Sequence, residues 1–137
     1  MRAEELMIND WIVIAEPDRY AGATGQIKSL SYHQEQDAAY FYVFIQGKFG
    51  YLLKEVCSDD IRPIPLTPEI LEKNGFIKSS VFEEWKYEQD GTYILWTPFQ
   101  WIKIRTEDAT ISSICGYVHK LQHALKYCGI NNTIITV

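Results

Sequence analysis

The sequence predicts an α+β chain in two parts: a small barrel of five short strands, then a unit of antiparallel strands packed on one long helix. Three observations carry this expectation. Short apolar runs separated by Gly, Pro and Asp turn residues fill the first half. Alternating aromatic strands around an Asp-Gly turn follow. A single apolar stripe at steps of four and three then appears near the C-terminal end. With 137 residues, 47% of them hydrophobic, the chain suits one domain or two very small ones.

Asp10 to Ala15 (DWIVIA) is a short apolar strand, and residues 16–22 have turn composition. Gly25 to Tyr32 alternates around Ile27 and Leu30, with a disturbance between them. His33 to Asp37 is a polar connection. Ala39 to Ile45 (AYFYVFI) is the most strand-like segment, and Gln46-Gly47-Lys48 turns it into Phe49 to Val56. Ser58 to Asp60 suits one turn of 3₁₀ helix, and Ile61 to Pro65 closes with two prolines that fit an edge strand. Five short strands of this kind predict a small barrel over residues 1–66.

Residues 67–137 form the predicted second unit. Thr67 can accept first-turn amides and Pro68 lacks an N–H where none is needed, so a short helix starts here and leaves at Asn74-Gly75. Val81 to Glu88 and Thr92 to Thr97 flank Gln89-Asp90-Gly91, a hairpin signal, and Phe99 to Arg105 supplies a third strand. Ile111 to Cys128 reads as the long helix, its stripe made by Ile114, Val118, Leu121, Leu125 and Cys128. Gly129 ends it, and Thr133 to Val137 reads as a final strand.

Two resemblances accompany this reading. DWIVIAEPDRYAGATGQIKSL is similar to the KOW-type opening of SH3-like barrels, and LLKEVCSDDIRPIP resembles their closure. Together they cover about half the chain and imply that the N-terminal barrel is SH3-like. They also imply a nucleic-acid-binding turn. Turns of that kind carry Lys or Arg beside their glycines, whereas Ala21 and Ala23 stand here, leaving Arg19 and Lys28. The second resemblance rests on IPLTPEILEKNGF, YVHKLQHAL and the opening Ile8 to Ile12. It is to a family of small proteins from prophage-like and mobile elements of gut bacteria, and it implies no activity.

Charge and composition narrow the function. A formal net charge of −5 argues against a nucleic-acid binder that works through broad electrostatics. No apolar run approaches the roughly 18 residues that span a bilayer, and the acidic N-terminus lacks the order of a signal peptide. The three cysteines, Cys57, Cys115 and Cys128, read as reduced thiols of a cytoplasmic protein. Gly22 to Ser29 (GATGQIKS) has the glycines and Lys-Ser of a phosphate-binding loop, but Gln26 and Ile27 intervene and a strand follows.

Cys115, His119 and His123 recur every four residues, a spacing that can bring imidazoles to one metal. With Ile114 at the core centre, His119 and His123 fall roughly 140° and 180° away and face outward. No metal or cofactor is therefore expected. No Ser stands in a nucleophile-elbow motif, and paired acids such as Asp59-Asp60 read as solvated charge.

The aromatics, 14% of the chain, are its most unusual feature. Tyr40, Tyr42 and Phe44 point one way while Phe41, Val43 and Ile45 point the other. The outward set is either covered by the second unit or open to a protein partner, and Arg19 and Tyr20 of the turn join it as candidate contacts. Trp96, Phe99 and Trp101 pose the same question. The sequence thus favours a non-enzymatic protein-interaction or structural accessory protein of a mobile element. The alternatives are a nucleic-acid-binding module using the KOW-like turn, and a small enzyme using the Cys115, His119 and His123 helix. Oligomeric state is left open.

Overall fold

A computed structural model describes residues 5–15, 19–33, 38–47, 50–89, 91–99, 101–130 and 135–137. The chain is α+β, with two antiparallel sheets of five strands each and its α-helices in the second half. It divides into two units, Met1–Ile64 and Pro65–Val137. Several predicted features lie outside the described residues: 16–18 of the first turn, the connection at 34–37, Lys48, Asp90 and residues 133–134 of the final strand.

The first unit contains β1 (Trp11–Ile14), β2 (Thr24–His33), β3 (Ala38–Gly47), β4 (Gly50–Cys57) and β5 (Ile61–Pro63). Asn9 pins the start of β1 onto β2. Its φ of +74° is a left-handed conformation that Asn tolerates. Its N–H donates to the Ile27 carbonyl at 2.7 Å, and its Oδ1 accepts from Lys28 Nζ at 3.1 Å. Asp10, fully buried beside it, accepts the Met7 N–H at 2.8 Å.

The two glycines of the next turn answer different needs. Gly22 has φ +89° and supplies conformation. Gly25 supplies space, because a Cβ there would lie 2.5 Å from Val43 Cγ1 and 2.9 Å from the Phe44 carbonyl oxygen. Just beyond, the β2–β3 register shifts between Ile27 and Ser29, so Lys28 is the extra residue of a β-bulge.

The strand order is β4-β3-β2-β1-β5. Ile12, Ile14, Ile27, Phe41, Val43, Ile45, Val56 and Ile61, drawn from all five strands, form one buried cluster. A sheet that gathers all its strands around one cluster is curled. Among the described residues no pairing joins β4 to β5, so the predicted barrel is not closed by hydrogen bonds.

The second unit contains α1 (Pro68–Lys73), β6 (Ile77–Lys78), β7 (Trp85–Gln89), β8 (Thr92–Thr97), β9 (Trp101–Arg105), β10 (Thr110–Ile114) and α2 (Val118–Tyr127). Thr67 caps α1, its Oγ1 accepting the Ile70 N–H at 3.3 Å. At the other end the Asn74 side chain donates to the carbonyls of Ile70 and Thr136, both at 2.7 Å, while its Oδ1 accepts the Thr136 N–H at 2.8 Å. Ile135–Val137 is thereby held at the exit of α1 without regular secondary structure.

Two sequence expectations are corrected here. The predicted helix over 111–128 is a strand and a shorter helix, because Thr110–Ile114 pairs with β9 and α2 begins at Val118. The β-branched Thr110, Ile111 and Ile114 suit a strand, and Gly116 separates the two elements. Ile114, taken as the centre of the helical stripe, is 72% exposed. The predicted three-stranded meander is also a five-stranded sheet, order β10-β9-β8-β7-β6. Its β7 starts at Trp85 rather than Val81, and the two-residue β6 is too short to show alternation.

One face of this sheet is buried through Trp85, Ile94, Trp96, Ile102 and Ile104. Trp85 and Trp96 meet edge to face at 5.8 Å. Their indole N–H groups find acceptors: Trp85 donates to Glu72 Oε1 at 3.1 Å and Trp96 to the Cys115 carbonyl at 3.0 Å. Helix α2 hides Val118, Leu121 and Leu125. Each contributes roughly 1.5–3 kcal/mol by burial, which matters more than propensity in a helix of 10 residues. Sheet and helix thus carry the complementary apolar faces of a two-layer unit.

Candidate functional site

Alternation along β3 separates Phe41, Val43 and Ile45, which are buried, from Tyr40, Tyr42 and Phe44, which are not. The register extends the second set across the sheet. Phe44 stands opposite Leu53 and Tyr42 opposite Glu55 on β4, while Ser29 and Ser31 of β2 face Tyr42 and Tyr40. Phe44 is 36% exposed and Leu53 55%. Lys28 Nζ lies 6.0 Å from the centre of the Phe44 ring. The Tyr42 hydroxyl donates to the Glu55 carboxylate, whose hydrogen bond and negative charge push the Tyr42 pKa upward. Tyr40, Tyr42, Phe44 and Leu53 make an aromatic and aliphatic patch with polar edges. Leu53 is the member that sequence reasoning missed, since only the β3–β4 register reveals which way β4 faces.

Arg19 and Tyr20 do not join this patch. Tyr20 packs against the buried cluster, with Arg19 Cζ 5.5 Å and Lys54 Nζ 5.3 Å from its ring centre. Lys54 stands opposite buried Val43 rather than opposite Phe44 or Tyr42. The five predicted contact residues therefore fall into two separate places.

The Cys115, His119 and His123 spacing takes a different form from the one predicted. Cys115 lies before α2, not within it. His119 is 1% exposed, so the outward orientation is corrected. The cause is the phase of the helix: its buried side is set by Val118, Leu121, Gln122 and Leu125, which brings His119 to the flank of that side. Its ring stacks on Tyr117 at 5.9 Å and meets His123 edge to face at 5.6 Å. Burial pushes the Cys115 thiol up to about 12. A thiol attacks as its thiolate, so this one is inert near neutral pH. Cys57, Cys115 and Cys128 are all free thiols. Among the described residues no group of three or more His, Cys, Asp or Glu side chains is placed to hold a metal ion.

On the second sheet the sequence singled out Trp96, Phe99 and Trp101 but not the cations beside Trp101. Register puts Trp101, Lys103 and Arg105 of β9 on the side opposite buried Ile102 and Ile104. Across from them stand Thr97, Leu95 and Tyr93 of β8, with Lys86 and Glu88 of β7 beyond. Arg105 Cζ lies 5.1 Å from the Tyr93 ring centre. Trp101 is 46% exposed and pairs with exposed Ile114. Reading β10 as helix concealed the pairing of Ile114 with Trp101.

Among the described residues no helix is long and apolar enough to cross a membrane. No protein-family model matches the chain, and neither a curated protein nor a solved structure shows significant similarity to it.

Proposed function

We propose that the chain is a non-enzymatic interaction protein whose first unit is an SH3-like module holding a protein partner on Tyr40, Tyr42, Phe44 and Leu53. The exposed Phe44–Leu53 pair on the sheet surface carries this reading. Large apolar side chains grouped outside a core mark contact surfaces, and aromatic residues with polar edges are the usual anchors. Support for the SH3-like assignment comes from the strand order β4-β3-β2-β1-β5 and the Ser58–Asp60 3₁₀ turn ahead of β5. The resemblance of IPLTPEILEKNGF and YVHKLQHAL to small proteins of mobile elements favours an accessory role in such an element.

The test is affinity purification of the tagged full chain from its native host, beside Leu53→Ser and Phe44→Ser. A partner retained by the parent chain and lost by both variants at unchanged melting temperature supports the reading. Equal recovery by all three overturns it.

A further inference from the structure

The outward residues of the second sheet combine cations and rings. Lys86, Lys103 and Arg105 face the same way as Tyr93 and Trp101, against two carboxylates, Glu88 and the Glu84 paired with Lys86. This is a local excess of positive charge on a chain whose formal net charge is −5. Lys86 is 4.0 Å from Glu84 Oε2, whereas among the described residues no carboxylate forms a salt bridge with Lys103 or Arg105. On β9 the ring and the two cations repeat about 6.8 Å apart, two residues per step. Arg105 lies over Tyr93, so its guanidinium adds a second flat surface at the other end of β9, four residues or about 13.6 Å from Trp101. An open groove of about 650 Å³, lined in part by Lys78, Ser79 and Ser80, adjoins β7 and shares Lys86 and Glu88 with this face.

We infer that this face binds single-stranded nucleic acid, with Lys86, Lys103 and Arg105 on the phosphates and bases stacked on Trp101 and the Arg105–Tyr93 pair. The charge selects a polyanion. The exposed rings select one with unstacked bases, since a duplex keeps its base faces covered. Few cations and no bidentate donors aimed at base edges give sequence-tolerant, salt-sensitive binding. The inference stands apart from the protein-partner reading of the first unit and uses none of its residues.

Fluorescence anisotropy with labelled oligothymidylate of about twelve nucleotides tests it on the full chain. Dissociation constants of roughly 1–100 µM are expected at physiological salt. Log affinity falls with log salt at a slope near −2, about 0.7 for each of three neutralised phosphates. Lys103→Ala or Arg105→Ala lowers the magnitude of that slope by about 0.7. Trp101→Ala weakens binding about tenfold and leaves the slope unchanged. Leu53→Ser, Arg19→Ala and Lys28→Ala change neither quantity, which separates this face from the first unit and its turn. The salt slope is read on the parent chain, so it stands even if a variant misfolds. The inference is overturned by absence of binding at low salt, by equal affinity for a duplex of the same length, or by loss of binding in Arg19→Ala or Lys28→Ala. Equally effective competition by polyglutamate also overturns it, identifying the face as a site for acidic protein segments.

Discussion

Along β3, the residues turned away from the core are Tyr40, Tyr42 and Phe44; along β9 they are Trp101, Lys103 and Arg105. Both strands obey the same period of two, and both bury apolar residues between these positions. Their outer chemistry differs. On the first sheet the neighbours are Leu53 and Glu55, and on the second they are Leu95, Tyr93 and Lys86. Burial explains why the inner positions are so alike, since a core accepts little besides packed apolar groups. Outer positions are free of that constraint, so they are where two otherwise similar sheets acquire different surface chemistry.

The largest effects should come from the inner faces. Trp96→Ala is expected to cost about 3–5 kcal/mol through the cavity it leaves, and it also deprives the buried Cys115 carbonyl of the indole N–H. Chemical denaturation measures it, and a loss below 1 kcal/mol would show that Trp96 is not a core residue. Gly25→Ala should cost roughly 1–3 kcal/mol, since its Cβ meets Val43 and the Phe44 carbonyl and one neighbour must give way. Gly22→Ala would instead be strained by its positive φ, without a clash.

A pH experiment sharpens the contrast inside the second unit. The folded Cys115 thiol titrates near 12, above the roughly 8.5 of an unfolded one. Below that lower value both states are protonated and the group has no effect on pH dependence. Above it the unfolded chain releases the proton first, so stability falls as pH rises toward 12, by at most about 1.4 kcal/mol per unit. Cys115→Ala should remove this component of the alkaline slope. An identical slope in parent and variant would show that the thiol ionises equally in both states.

The smallest effect carries the most information about topology. Ile114→Ser should change stability by no more than about 0.5 kcal/mol, as for other exposed positions. Were Ile114 the first rung of a buried helical stripe, the loss would be roughly 2–5 kcal/mol. The same measurement therefore discriminates the strand from the helix that the spacing suggests.

Local chemistry made much of the fold legible. Thr67-Pro68 announces α1 because capping needs only neighbouring residues, and the Tyr40 to Phe44 alternation separates two faces without reference to any other strand. What escaped depends on pairing. Ile114, Val118 and Leu121 satisfy a helical spacing by coincidence, and only the partnership with β9 makes 110–114 a strand. His119 was misplaced by the same error, because a helix read from the wrong starting residue carries the wrong phase. Leu53, and the alignment of Lys86 with Lys103 and of Tyr93 with Arg105, are visible only once register is known.

The disturbance between Ile27 and Leu30 was the imprint of the bulge at Lys28, and it bears on how this strand can change length. Ile27 and Ser29 pair with consecutive residues of β3, Val43 and Tyr42. Deleting Lys28 would therefore join two segments already in step, leaving every other side chain of β2 on the face it now occupies. Deleting Ile27 instead would put Lys28 opposite buried Val43, and deleting Leu30 would put Ser29 opposite buried Phe41, so a polar side chain would take an inner position. Lys28 is thus the position in this strand where the loss of a single codon can pass without rewriting the sheet.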